Sequence, residues 1–433
     1  MTSEPKSLFV WIWLPGQNVP VVAGQVVRNE DTAVIHFGYA RSYRKNPNAI
    51  PIFTPDLPLK EGLIDPTKGH LLAPSLRDAL PDRWGRRVIV NDLLGHRKDE
   101  INEDAFGEMT FMIKSGSDRI GALDFQESAD EYLPRLSAEA TLEELQNFSD
   151  LIEAGKEVPK ELDRVILHGS SIGGARPKAL ITDTDKKRPR KLIAKFSATN
   201  DVFAMVKGEF ATMRMAKLAG MDVAHVDIER VLDREVLLVE RFDRQLSKDG
   251  ESWHRRSLVS ALTWTQEDEL AARHVSYSEL AEIIRARFRD PAKDLSELFA
   301  RMIFNILVGN TDDHARNHAG FWDGEMLELT PAYDIAPQNC GTKEANQALN
   351  IVPNERSAQL TNALKTAPYF HIEEAEARKM IDHQVTTIRG NWHEVCDLAG
   401  MTKTERSYFA GRQILNSYAF EGYGPVPTLL DPK

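Results

Sequence analysis

Asn310-Thr-Asp-Asp-His-Ala-Arg-Asn317 decides the reading of this chain, because from Thr311 onward it crowds two carboxylates, an imidazole, a guanidinium and an amide into seven residues. Immediately upstream, Leu295, Leu298, Phe299, Met302, Ile303, Ile306 and Leu307 recur at helical spacing, so Leu295–Val308 reads as a helix with one buried face. Gly309 is suited to end that helix, since a glycine takes the left-handed conformation without a Cβ clash. Downstream, Ala319–Trp322 and Met326–Leu329 flank Asp323-Gly324, a strong hairpin signal, and the second strand leads to Tyr333-Asp334.

A polar loop between a buried helix and a hairpin suits phosphoryl transfer from ATP. That chemistry needs a carboxylate to accept the hydroxyl proton, an amide to ligate a metal and a further carboxylate to hold the Mg²⁺ that bridges the phosphates. Asp312, Asn317 and Asp334 supply these in order, and the interval from Asp312 to Asn317 equals that of the protein-kinase catalytic loop. The bland alternative is a solvated turn rich in capping residues. His314 and His318 have the i,i+4 spacing of zinc ligands, but no third ligand completes such a site.

The order of elements before this region agrees with a nucleotide lobe. Val165–Leu167 reads as a short strand, followed by the loop His168–Pro177, whose Gly169, Gly173 and Gly174 would let backbone N–H groups approach a phosphate. No Gly-Lys-Ser/Thr opens a helix here, which excludes a P-loop. Strands are expected at Lys178–Thr182 and Lys191–Phe196, the latter carrying Lys195, then a helix over Val202–Leu218 carrying Glu209. In a kinase small lobe a strand lysine holds the α/β-phosphates and a helix carboxylate fixes that lysine. Strands at Val226–Val231 and Glu235–Val239 then lead to Glu240-Arg241-Phe242, where a hinge would face adenine. Lys186–Lys191 is basic but sits at a hairpin tip, where a solvated turn is the default.

The first 60 residues are strand-like at Phe9–Leu14, Val21–Val27 and Thr32–Phe37. Leu80–Gly85 opens a helix over Arg86–Leu94, residues 111–113 and 120–125 resemble a hairpin, and 128–160 reads as acidic and helical. After Arg244 the pattern is mainly helical apart from the hairpin at 319–333. The expected organisation is an α/β (α+β) two-lobed kinase-like fold: an N-terminal β-rich subdomain (1–130), a small lobe (131–244) and a helical large lobe (245–433). With 42% hydrophobic and 27% charged residues and a net charge of −11, the chain has an ordinary globular composition and is not a nucleic-acid binder as a whole. Two cysteines, no membrane-length apolar run and no cleavage-site pattern after Leu8–Leu14 point to a soluble cytoplasmic protein with reduced thiols.

Taken together, Phe37-Gly-Tyr39, Leu80-Pro-Asp-Arg-Trp-Gly85, Gly121-Ala122, Ser171–Lys178, Val239-Glu-Arg-Phe-Asp-Arg244, Asn310–Asn317 and Tyr333-Asp334 resemble the HipA family, the serine/threonine kinases of HipBA-type toxin–antitoxin modules. The resemblance implies a catalytic base at Asp312, Mg²⁺ ligands at Asn317 and Asp334, and a lysine-positioning role for Glu209. It implies ATP contacts from Gly173, Gly174, Ala175, Arg176, Pro177, Lys178, Lys195, Glu240, Arg241, Phe242, His314, Arg316 and Tyr333. It also implies autophosphorylation at Ser171, with Ser170 as a second candidate, ejecting the loop and shutting off ATP binding. Arg176-Pro177 stands where the best-known toxin members carry Gln-Glu, so this loop resembles a broader branch. The implied partners are a HipB-like helix-turn-helix antitoxin, operator DNA only through that antitoxin, and a protein substrate such as an aminoacyl-tRNA synthetase. A small-molecule kinase of the same fold and a non-catalytic ATP-binding co-repressor remain the competing readings.

Overall fold

In the N-terminal part, alternating burial shows how the sequence selects its sheet. Along Ser7–Ile12, Leu8, Val10 and Ile12 are buried, and this is an interior strand of five antiparallel strands in the order Leu63–Ile64, Ile35–Tyr39, Val21–Arg28, Ser7–Ile12, Leu123–Gln126. Phe37, Tyr39, Phe125, Met109 and Leu76 fill the core against it. The computed structural model describes residues 4–429 apart from 68, 95–105, 137–138, 157, 160–164, 172–173, 175, 185–187, 199–200, 202 and 340–343.

A second sheet brings Lys178–Asp183, Arg190–Phe196 and Arg234–Glu240 together as antiparallel neighbours. Leu192, Ala194 and Phe196 point to one face and pack with Trp84, Val88, Phe148, Val236 and Leu238. Each large apolar side chain buried this way stabilises the lobe by about 1.5–3 kcal/mol. Period-two alternation then sends Lys191, Ile193 and Lys195 to the opposite face. Both sheets belong to one compact unit, 1–200 with 229–259 and 321–325.

The second unit comprises 201–228, 260–320 and 326–433. Its organising element is the helix Pro291–Leu307, capped by Asp290, whose side chain accepts from the Lys293 N–H at 3.2 Å. The helix begins earlier than the apolar spacing suggested because Asp290-Pro291 is itself a start signal, a capping carboxylate before a proline at the first helical position. Gly309 ends it with φ +66, and a Cβ there would lie 2.6 Å from the Gln413 carbonyl oxygen. The helices Met205–Leu218, Tyr277–Arg287 and Glu374–Leu398 also belong to this unit.

Several expectations are corrected. Residues 111–113 lie in the helix Glu108–Lys114 rather than a hairpin strand, because Met109, Phe111 and Met112 bury a helical face; only Leu123–Gln126 is a strand. Val165–Leu167 is not a strand, since the chain turns into the short helix Ile166–Gly169. Among the described residues the acidic stretch is helical only over Leu142–Glu153, behind a Thr141/Glu144 capping box, and Leu133 and Leu136 are exposed. Short strands also occur at Arg244–Leu246, Trp253–Arg255 and Leu258–Ser260, in the region expected to be helical. The units divide the chain differently from the three expected segments, with the helix carrying Glu209 grouped in the second unit.

Candidate active site

In the second unit, the stretch after Gly309 forms a tight loop with an inner and an outer side. A 3₁₀ turn, Ala315–Asn317, is closed by the Asn317 N–H donating to the His314 carbonyl oxygen at 2.9 Å. The Asp312 carbonyl accepts twice, from the His314 N–H at 2.9 Å and from Asn317 Nδ2 at 3.1 Å. Asp313 is buried, accepts from the Tyr277 hydroxyl and stands 2.9 Å from His318 Nε2. Asp312 is exposed. Neighbouring carboxylates in the sequence therefore have opposite environments.

Asp334 reaches the same place from the far side of the hairpin. Its backbone is left-handed, φ +58, an uncommon conformation for a non-glycine residue that recurs where function constrains the chain. The Asn310 side-chain amide contacts the Asn305 side chain at 3.0 Å and the Asp334 carbonyl oxygen at 3.5 Å, linking the start of the loop to this residue. Tyr333 donates to the Arg316 carbonyl at 2.7 Å, and Arg316 pairs with Glu269. Crowding by protein atoms, followed by the negative charges of Asp334 and Asp313, raises the Asp312 carboxyl above its usual range, against an opposing pull from His314. Asp312, His314 and Asp334 thus form one electrostatic group.

The donor set fits Mg²⁺. Asn317 spends its N–H on Asp312, leaving a carbonyl oxygen as acceptor, and Asp334 offers a carboxylate; both are hard oxygen ligands. Among the described residues no group of three His, Cys, Asp or Glu side chains forms a metal cage. Such a site suits an ion held jointly with phosphate oxygens rather than by protein alone. Glu209 lies buried in the helix Met205–Leu218 of this unit.

In the first unit, Lys178 and Lys195 are directly opposite partners across two strands, so their side chains share a face. Gly174, at φ +103, lies against Lys178: a Cβ there would meet Nζ at 1.7 Å. Two residues without a role in the sequence reading hold this glycine. Asp82 accepts from the Gly174 N–H, and the Trp84 N–H donates to the Gly174 carbonyl at 3.0 Å. The Trp84 indole also donates to the Lys178 carbonyl at 2.9 Å. The Leu80–Gly85 motif was the available signal. Arg176 and Pro177 follow on the same loop, half-buried and buried respectively, while Gly173 and Ala175 lie outside the described residues. Ser170 is buried with its hydroxyl accepting from the Gly116 N–H at 3.0 Å, and the buried Ser171 hydroxyl has no partner among the described residues.

The expected hinge has two characters. Glu240 takes two hydrogen bonds from the exposed Arg188, at 3.0 and 2.9 Å, and Phe242 packs edge-on to Phe321 with centroids 5.8 Å apart. Arg241 is committed elsewhere. Its guanidinium pairs with Asp118 at 3.0 Å and Asp243 at 2.9 Å, and Arg244 pairs with the same two carboxylates at 2.9 and 2.8 Å. Asp243 also accepts from the Gly121 N–H at 2.8 Å. Burial would raise the Asp118 and Asp243 carboxyls, but the combined charges of Arg241 and Arg244 win and hold both below the usual range. The cluster fastens the end of the strand Arg234–Glu240 to the turn at 118–121.

Taken by its architecture, the chain is a kinase-like α/β protein. It superposes on a chain of the Shewanella oneidensis complex of HipA, HipB and operator DNA with a TM-score of 0.67, covering 92% of this chain and 94% of that one at 20% identity. Residues 12–126 match the HipA N-terminal domain model and residues 170–392 the HipA-like C-terminal domain model. The chain belongs to the HipA family. A putative kinase of Sinorhizobium fredii is 32% identical over 146 residues, 33% of each chain. The serine/threonine-protein kinase toxin HipA of Shewanella oneidensis is 33% identical over 146 residues, 30% of this chain and 34% of the relative. These two sequence alignments span about a third of the relatives' length. Among the described residues no helix is long and apolar enough to cross a membrane.

Proposed function

We propose that the chain is an ATP- and Mg²⁺-dependent serine/threonine protein kinase of the HipA toxin type. The observation that carries this reading is the grouping of exposed Asp312 with Asn317, on a loop whose inner side is buried, and with Asp334 from beyond the hairpin. Asp312 orients the acceptor hydroxyl and takes its proton as the oxygen attacks the γ-phosphorus; the bond from that phosphorus to the β,γ-bridging oxygen breaks and ADP leaves. The raised pKa of Asp312 makes it a better proton acceptor than an ordinary surface carboxylate. Asn317 and Asp334 hold Mg²⁺, which neutralises phosphate charge when bound. Lys178, Lys195 and the backbone at Gly174 form the phosphate-facing side of the small lobe, and Glu240 with Phe242 the adenine side.

Ser171, or Ser170 beside it, is the site of self-inactivation. Both hydroxyls are buried, so transfer to either requires the segment to leave its packing. The added charge of about −1.5 to −2 would then oppose its return. The solved relative is a complex of HipA, HipB and operator DNA, which supports a HipB-like antitoxin as partner here, with DNA reached through it. A translation component such as an aminoacyl-tRNA synthetase is the proposed target.

Incubation of the purified chain and a cell lysate with radiolabelled ATP and Mg²⁺ tests the reading. A labelled protein band lost in Asp312→Asn supports it. Label appearing only in small molecules would replace it with a small-molecule kinase, and nucleotide binding without transfer would leave a co-repressor.

A further inference from the structure

The buried side of the catalytic loop contains a set of polar groups that the proposed chemistry does not use. Tyr277, Asp313 and His318 have relative exposures of 0%, 1% and 2%, which is unusual for a carboxylate and an imidazole. Tyr277 donates its hydroxyl to one carboxylate oxygen of Asp313, and His318 Nε2 lies 2.9 Å from the other. The Tyr277 and His318 rings meet edge-on, centroids 5.7 Å apart. The backbone closes the arrangement. Leu349 N–H donates to the Asp313 carbonyl at 3.2 Å, Ala348 N–H to Thr311 at 3.0 Å, and Tyr277 N–H to Asn350 at 2.9 Å. Asn350 in turn donates from its side chain to the carbonyls of Arg273, His274 and Val275.

We propose that Asp313, Tyr277 and His318 are positioning residues that clamp the inner side of the loop and so set the direction in which Asp312 is presented. The proposal rests on the kinase reading above. The peptide joining Asp312 to Asp313 is held from both sides: the Asp312 carbonyl by His314 and Asn317, the Asp313 side chain by the Tyr277 hydroxyl, with the His318 ring packed beside it. Rotating Asp312 would require breaking a buried, charge-assisted contact. Displacements of about 1 Å at a reacting group can cost on the order of 100-fold in rate. Tyr277, Asp313 and His318 all belong to the second unit and hold the backbone of the loop itself, so their loss should act on turnover rather than on nucleotide binding.

The test uses Tyr277→Phe, which removes one oxygen while keeping the ring, and Asp313→Asn as a second variant should the first fold poorly. Steady-state phosphorylation is expected to show kcat reduced at least 10-fold, with KM for ATP within about 2-fold of the parent. Amide hydrogen exchange in peptides covering 311–318 is expected to accelerate about 10-fold, with the helix Glu374–Leu398 unchanged. Faster exchange with unchanged kcat would overturn the positioning role and leave a structural contact. Unchanged exchange and unchanged kcat would overturn the clamp. A parent chain with no transferase activity would instead sink the kinase reading beneath it, and the exchange arm would still decide whether the clamp exists.

Discussion

The loop Asn310–Asn317 and the segment Glu240–Arg244 contain nearly the same chemistry, aspartates beside arginines at the end of a regular element, yet they meet opposite fates. At 240–244 both arginines pair with two shared carboxylates, with side chains 1–3% exposed for Arg241, Arg244 and Asp243. At 310–317 the inner aspartate is likewise buried and paired, but Asp312 is left facing solvent beside another carboxylate. Charge density therefore does not distinguish a structural cluster from a reactive one. The distinction is whether the charges cancel inside the protein or leave an acceptor facing outward with a raised proton affinity.

Five perturbations should separate the two regions, from the largest effect to the smallest. Asp312→Asn should lower phosphate transfer by about 10²–10⁴-fold, the usual contribution of a positioned general base, while leaving the chemical denaturation midpoint near that of the parent. Arg241→Ala should do the reverse. It leaves the buried Asp243 and the half-buried Asp118 with one guanidinium fewer, and a loss of about 3–5 kcal/mol in denaturation experiments is expected. The pH dependence of stability follows from the same pair. Their carboxyls are depressed in the fold, so their contribution is fully present above the unfolded value of about 4 and is lost as pH falls below it. Thermal melts of the parent should steepen their decline in that acid range, and Asp243→Asn should flatten it.

Asp82→Ala removes the acceptor of the Gly174 N–H. A cost of about 1–2 kcal/mol in ATP binding, a 5- to 30-fold rise in KM, is expected without a matching fall in kcat. Smallest is Arg188→Ala. That side chain is 65% exposed, so its pair with Glu240 should change stability by no more than about 1 kcal/mol, and ATP affinity should hardly move.

Much of the fold was legible in the sequence because its signals are local. The antiparallel strands at 178–183, 190–196 and 234–240 follow from alternation and turn residues, and Val226–Val231 matches its expected bounds. The helix Glu108–Lys114 was misread because a short apolar run, Phe111-Met-Ile113, has no periodicity long enough to tell helix from strand. At the site, the loop and Asp334 stood out by residue type and interval. The supports did not. Trp84 and Asp82 lie about 90 residues from Gly174, and Tyr277 lies 36 residues from Asp313, so only the folded chain brings them together. Arg241 illustrates the converse: its position suggested a nucleotide contact, whereas burial against Asp118, 123 residues away, engages its side chain.

In the proposed mechanism everything turns on Asp312 serving as the base for phosphate transfer. Mass spectrometry of the purified parent and Asp312→Asn chains, each incubated with ATP and Mg²⁺, tests it most directly. Phosphate is expected on Ser171 or Ser170 of the parent and none on the variant. Equal phosphate incorporation in Asp312→Asn would contradict it.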